Sequence, residues 1–171
     1  MTFKRIKFLG FIFLLALVFL TGCFNSYTYE DSGTLVTAVL SPAGPDEQIN
    51  LFERRITIDV DGTLILSAEE EEDTNRPTVE KTLSDSKIDQ LKEKIEEEKF
   101  KKLEEDVTAP AEDGAYYQIT VHFADHTQTA EGWNPSDEQF NALHDYIFNL
   151  VDDEVYEDWE EDVREYLSQN E

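Results

Sequence analysis

An α+β domain, with an antiparallel sheet built from hairpins and two to three helices packed on one face, is the fold class this sequence predicts. Three observations point to it. Two pairs of β-rich runs flank short turn signals, at Asp61-Gly62 and at Asp125-His126. Two capped segments, from Ser84 and from Ser136, carry apolar residues at helical spacing. Apolar residues at 40% and aromatics at 12% suffice for a packed core despite a formal charge of −25.

The chain opens with Lys4, Arg5 and Lys7, followed by an uncharged apolar run from Phe8 to Leu20. This is the pattern of an export signal. At about 1.5 Å per residue the run spans roughly 20 Å, short of the roughly 30 Å of bilayer hydrocarbon. It ends in Leu20-Thr21-Gly22-Cys23, which resembles the lipobox of bacterial lipoproteins. The resemblance implies removal of residues 1–22 and lipidation of the Cys23 thiol with a diacylglyceryl group. It also implies retention on the extracytoplasmic face of a bacterial cell membrane. Two acyl chains anchor stably where one is marginal.

Cleavage there would remove three of the 14 basic residues and none of the 39 acidic ones, leaving 149 residues with a formal charge of −28. So acidic a body has no basic surface with which to grip nucleic acid, and it is repelled by anionic headgroups. The expectation is a domain that stands off the bilayer on a polar tether, residues 23–33. A protein or cationic partner is compatible with the charge, and so is simple adaptation to salt or alkali. With Cys23 the single cysteine, no internal disulfide and no cysteine-ligated zinc site can form.

Within the body, 34–151, Thr34 to Leu40 reads as a strand stopped by the loop around Pro42 and Pro45. Leu51 to Asp59 and Thr63 to Ser67 form the first hairpin. A three-residue loop Val60-Asp61-Gly62, with Gly62 left-handed, places Ile56, Ile58, Leu64 and Leu66 on one face, whereas a two-residue turn would scatter them. Thr78 to Leu83 returns as a further strand. Ser84 then caps a helix whose stripe is Ile88, Leu91, Ile95, Phe100 and Leu103, with Leu83 and Ile88 as a hydrophobic staple. Tyr117, Ile119, Val121 and Phe123 alternate with polar neighbours, and Thr127 to Trp133 closes the second hairpin.

Ser136 and Gln139 form a capping box for a helix with the stripe Phe140, Leu143, Ile147, Leu150 and Val151. Residues 152–171 predict an acidic amphipathic helix, with Val155, Trp159, Val163 and Tyr166 as its apolar side, that either packs on the domain or projects from it.

Candidate chemistry is sparse. Asp59-Val60-Asp61-Gly62-Thr63-Leu64 resembles the first motif of haloacid dehalogenase-type phosphatases. The resemblance implies Asp59 as nucleophile and Asp61 as general acid and base, with magnesium. That chemistry also needs a cation and more carboxylates downstream. No lysine follows Lys102 and the only later arginine is Arg164, so the hexapeptide reads as the turn of a hairpin. His122, His126 and His144 are too scattered for a zinc site, and no calcium-loop spacing occurs. The expected site is therefore lipid attachment at Cys23, with no catalytic, cofactor or metal-ligating residue. Trp133, Tyr116 and Trp159 are candidates for an aromatic recognition patch. In layout, roughly Arg55 to Val151 is similar to the emfourin-type protease inhibitors, although their glycine-rich start is missing. The expected function is a non-catalytic, membrane-anchored binding or envelope-surface module, with a reduced phosphatase or an inhibitor-like module as alternatives.

Overall fold

The computed structural model describes residues 27–43, 52–68, 75–110 and 114–170. Cys23, the signal segment, the Pro45 loop and the acidic run 69–73 lie outside them. Six strands form one antiparallel sheet: β1 (Thr34–Ala43), β2 (Arg54–Asp59), β3 (Thr63–Ser67), β4 (Thr78–Thr82), β5 (Gly114–His122) and β6 (Thr127–Trp133), in the order β4-β3-β2-β1-β5-β6. Among the described residues three α-helices accompany it, α1 (Asp85–Glu97), α2 (Glu138–Phe148) and α3 (Asp153–Asn170). This is the α+β class that the hairpins and amphipathic stripes predict.

The core follows strand parity. Val36 pairs with Ile58 on one side and Val121 on the other, and Ala38 pairs with Ile56 and Ile119. Ile58 and Ile56 in turn oppose Leu64 and Leu66. All are fully buried in one cluster with Ile88, Leu91 and Ile95 of α1, Phe140, Leu143 and Ile147 of α2, and Trp159 and Val163 of α3. The helices thus share one face of the sheet, because only that face is apolar. The three-residue loop carries the register: Gly62 has φ +91°, and its amide donates to the Asp59 carbonyl at 3.1 Å.

Several local expectations are corrected. β1 runs on through Pro42 to Ala43; beyond Leu40 it pairs with β5 alone, and a strand paired on one side tolerates proline. The α1 stripe does not continue as helix to Leu103. Phe100 lies five residues after Ile95 and out of phase with it, so a left-handed Lys99 (φ 54°) breaks the helix and a 3-10 turn, Phe100–Lys102, delivers Phe100 to the core. Ser84 occupies the N-cap of α1 without a side-chain capping bond. The α2 cap is Asp137 rather than Ser136, its carboxylate accepting the Phe140 amide at 2.9 Å.

The C-terminal helix packs rather than projects. Trp159 is 2% exposed, lies edge-on to Phe52 at 5.6 Å and donates its indole N–H to the Pro77 carbonyl. Arg54 of β2 pairs with Glu160 at 2.6 Å. Val155, by contrast, is 37% exposed, and Tyr156 takes the inward position against Phe148 and Trp159.

The stretch read as tether is also partly folded. Tyr29 bridges to Phe123, the Ala124 amide donates to the Thr28 carbonyl, and the Tyr27 amide donates to Glu96. The rings of Tyr27 and Tyr29 lie 5.3 and 5.5 Å from that of Phe123. Residues 27–33 therefore belong to the domain.

Candidate functional site

Opposite the helices, the outward positions of the strands form a polar face that no described helix covers. Direct neighbours across it are Thr57, Thr37, Thr120 and Thr129, a row in which the last two hydroxyls bond at 2.9 Å. Toward the end of the sheet where β6 finishes, the row gives way to larger groups. Tyr116 pairs with Trp133, and Gln118 with Glu131. Glu131 Oε2 accepts from the Tyr116 hydroxyl at 2.7 Å and from Gln118 Nε2 at 2.6 Å. Across β1, Glu53 accepts from Ser41 at 2.9 Å and from Arg55 at 2.6 Å. Val39, buried, sits between Arg55 and Gln118 in the register.

Electrostatics keep this corner in one arrangement. The Tyr116 hydroxyl is pushed up to about 12, by burial first and then by its bond to Glu131, so it remains a donor at any physiological pH. Each carboxylate is held by two donors, which fixes both. Trp133, 47% exposed, stands edge-on to Tyr116 at 5.8 Å. The corner thus sets an exposed amphipathic ring beside hydrogen-bonded polar groups.

A strap, residues 105–109, covers the outer edge of β6: the Val107 and Ala109 amides donate to the Glu131 and Trp133 carbonyls. Gly132 permits this approach, since a Cβ there would lie 2.5 Å from the Thr108 nitrogen. Between strap and sheet face lies an open hollow of about 680 Å³ bordered by Glu105, Gln118, Thr129 and Glu131.

The residues singled out from the sequence are placed as follows. Trp133 and Tyr116 come together, whereas Trp159 is in the core. Asp59 ends an antiparallel strand and accepts the Thr34 hydroxyl at 3.0 Å, so it is half-buried rather than facing water. Asp61 is exposed and accepts the Thr63 amide, the bond that chiefly holds its carboxyl below the usual range. No group of three or more potential metal ligands occurs among the described residues. His122 contacts Thr127, and His126 contacts Asp125.

His144 is 3% exposed, stacked on Phe148 at 4.5 Å, with Nε2 3.2 Å from the Val39 carbonyl. A carbonyl only accepts, so Nε2 carries the proton. Burial holds the imidazole pKa below its ordinary value. The histidine is thus a strut between α2 and β1.

Sequence reading missed Glu53, Arg55, Ser41, Gln118 and Glu131 as a group. Alternation marks Gln118 as outward, but only the pairing register shows which outward residues meet. No protein-family model matches the chain, and no curated protein matches it. No described helix is long and apolar enough to cross a membrane.

Proposed function

We propose that this chain is a lipid-anchored, extracytoplasmic and non-catalytic binding module. The anchor is Cys23, on the pattern of residues 4–23. The recognition surface is the helix-free face of the sheet, centred on Trp133 and Tyr116. One observation carries the binding reading: at that corner an exposed indole adjoins polar side chains already held by one another, which favours docking over bond-breaking. The phosphatase alternative calls for an aspartate at the end of a central parallel strand with a cation converging on it. Asp59 instead ends an antiparallel strand and bonds to a threonine hydroxyl.

Two measurements test the proposal. Labelled palmitate is incorporated into the wild-type chain in a bacterial host and not into Cys23→Ser, which is released from the membrane fraction. Crosslinking in intact cells yields an adduct that Trp133→Ala abolishes while retaining the wild-type Tm. Magnesium-dependent phosphatase activity lost in Asp59→Asn would replace this reading with the enzymatic one.

A further inference from the structure

Where the chain joins the fold limits how an anchored domain can sit. Tyr27 is held by the Glu96 carboxylate and packs on Phe123, and the Tyr29 hydroxyl donates to the Lys92 carbonyl at 3.1 Å. Tyr27 follows Cys23 by four peptide steps. Even fully extended, at about 3.3–3.6 Å per residue, they reach roughly 14 Å. From Phe123 to Tyr116 the second hairpin runs seven residues, about 23 Å at 3.3 Å per residue. The Tyr116–Trp133 corner therefore lies beyond the reach of the leash, at the opposite end of the hairpin from the anchor.

Charge is divided along the same axis. Residues 85–102, α1 and its 3-10 turn, hold six lysines and six carboxylates and are formally neutral. Around Tyr27, Lys92 lies over the Tyr29 ring at 5.6 Å, and Lys101 over Phe123 at 4.3 Å and Tyr27 at 5.3 Å. Lys99 and Lys102 beside them are exposed. Residues 152–170 hold nine carboxylates against one arginine, a formal −8. Their helix passes Pro77 and Arg54, at the ends of β4 and β2 remote from the Gly62 turn. That turn is joined to Gly33 by the bond from the Val60 amide, so it lies on the Tyr27 side.

We infer that the anchored domain rests the α1 end of the fold, around Tyr27, Lys99 and Lys102, against the lipid headgroups, and holds the Trp133 corner and α3 away from them. The inference rests on lipidation of Cys23. The occupant of this surface is the bilayer itself: with Glu30, Asp31 and Asp125 counted, this end holds six lysines against nine carboxylates, a formal −3 compared with −8 for residues 152–170, so an anionic membrane repels it far less. The expectation that the domain stands off on a tether of residues 23–33 is replaced by a short leash that orients it.

The test uses the full chain, acylated in a bacterial host and reconstituted in phosphatidylcholine–phosphatidylglycerol vesicles. With the Cys23 thiol acylated, one introduced cysteine takes a fluorophore, at Ala124→Cys or at Trp133→Cys, opposite ends of one hairpin. Nitroxide-headgroup lipid should quench the label at 124 several-fold more than that at 133. A Gly/Ser insert between Asn25 and Ser26 should equalise the two. Equal quenching without the insert, in chains that float with the vesicles, overturns the orientation and leaves the lipoprotein reading intact. A preference that persists with the insert overturns the leash as its cause. Chains that neither float nor carry acyl mass at Cys23 overturn the anchor, and the orientation with it.

Discussion

Gly62 and His144 show how single residues set this fold. At Gly62 the loop needs φ +91°, and a Cβ there would lie 2.6 Å from the Leu83 carbonyl oxygen. The Leu83 amide donates to the Gly62 carbonyl at 2.8 Å, so the turn is clamped to the start of α1. Gly62→Ala should cost about 1–3 kcal/mol from the backbone conformation alone, with the clash added, read as a lower urea midpoint at unchanged m. His144 is buried neutral, with its folded pKa lowered from 6.5. The unfolded chain then binds the extra proton first. Stability contributed by this site is complete above about pH 6.5 and falls as pH drops below it, until the folded pKa is reached. His144→Gln keeps a donor for Val39 and should flatten the Tm profile between pH 7 and 5; an unchanged slope would remove His144 as its source.

At the scale of elements, caps and docking faces differ in what they contribute. Asp137 accepts the Phe140 amide, so Asp137→Ala should lose about 1 kcal/mol, while Ser136→Ala and Ser84→Ala, which remove no capping bond, should change little in thermal unfolding. The capping box misplaced by one residue shows why: Ser136 and Asp137 are both good caps, and the choice belongs to the loop from Asn134 that delivers the helix. For α3, helical spacing places Val155 on the inward side, yet it is 37% exposed. Packing against Phe148 and Trp159 selected Tyr156. Trp159→Ala should cost about 3–5 kcal/mol and expose α3 to early proteolysis, since the indole fills the space between Phe52 and the Pro77 carbonyl.

The whole molecule carries its charge unevenly and at a density that opposes compaction. A formal −25 repels itself, and added salt screens it over a Debye length of about 10 Å at 0.1 M. Tm should therefore rise as sodium chloride is added up to physiological strength; a Tm independent of salt would show that the Lys94–Glu98 pair at the end of α1 and the Arg54–Glu160–Arg164 cluster already offset the repulsion. The candidate recognition corner is the other whole-molecule feature. It gathers β1, β2, β5, β6 and the segment before β2, and no one of them contains it.

Hairpin parity, the stripes of α1 and α2 and the leader pattern are properties of local sequence, because each depends on residues a few positions apart. They determined the α+β class, the buried faces and the expected address at Cys23. The order β4-β3-β2-β1-β5-β6 is a different matter: β1 is inserted between β2 and β5 by pairings as distant in sequence as Val36 with Val121, and no local signal encodes them. For the same reason the meeting of Glu53 with Ser41, the docking of Tyr27 and Tyr29 on Phe123, and the burial of His144 against Val39 were decided only by the tertiary structure. Each is a contact between surfaces that exist only once the sheet has closed.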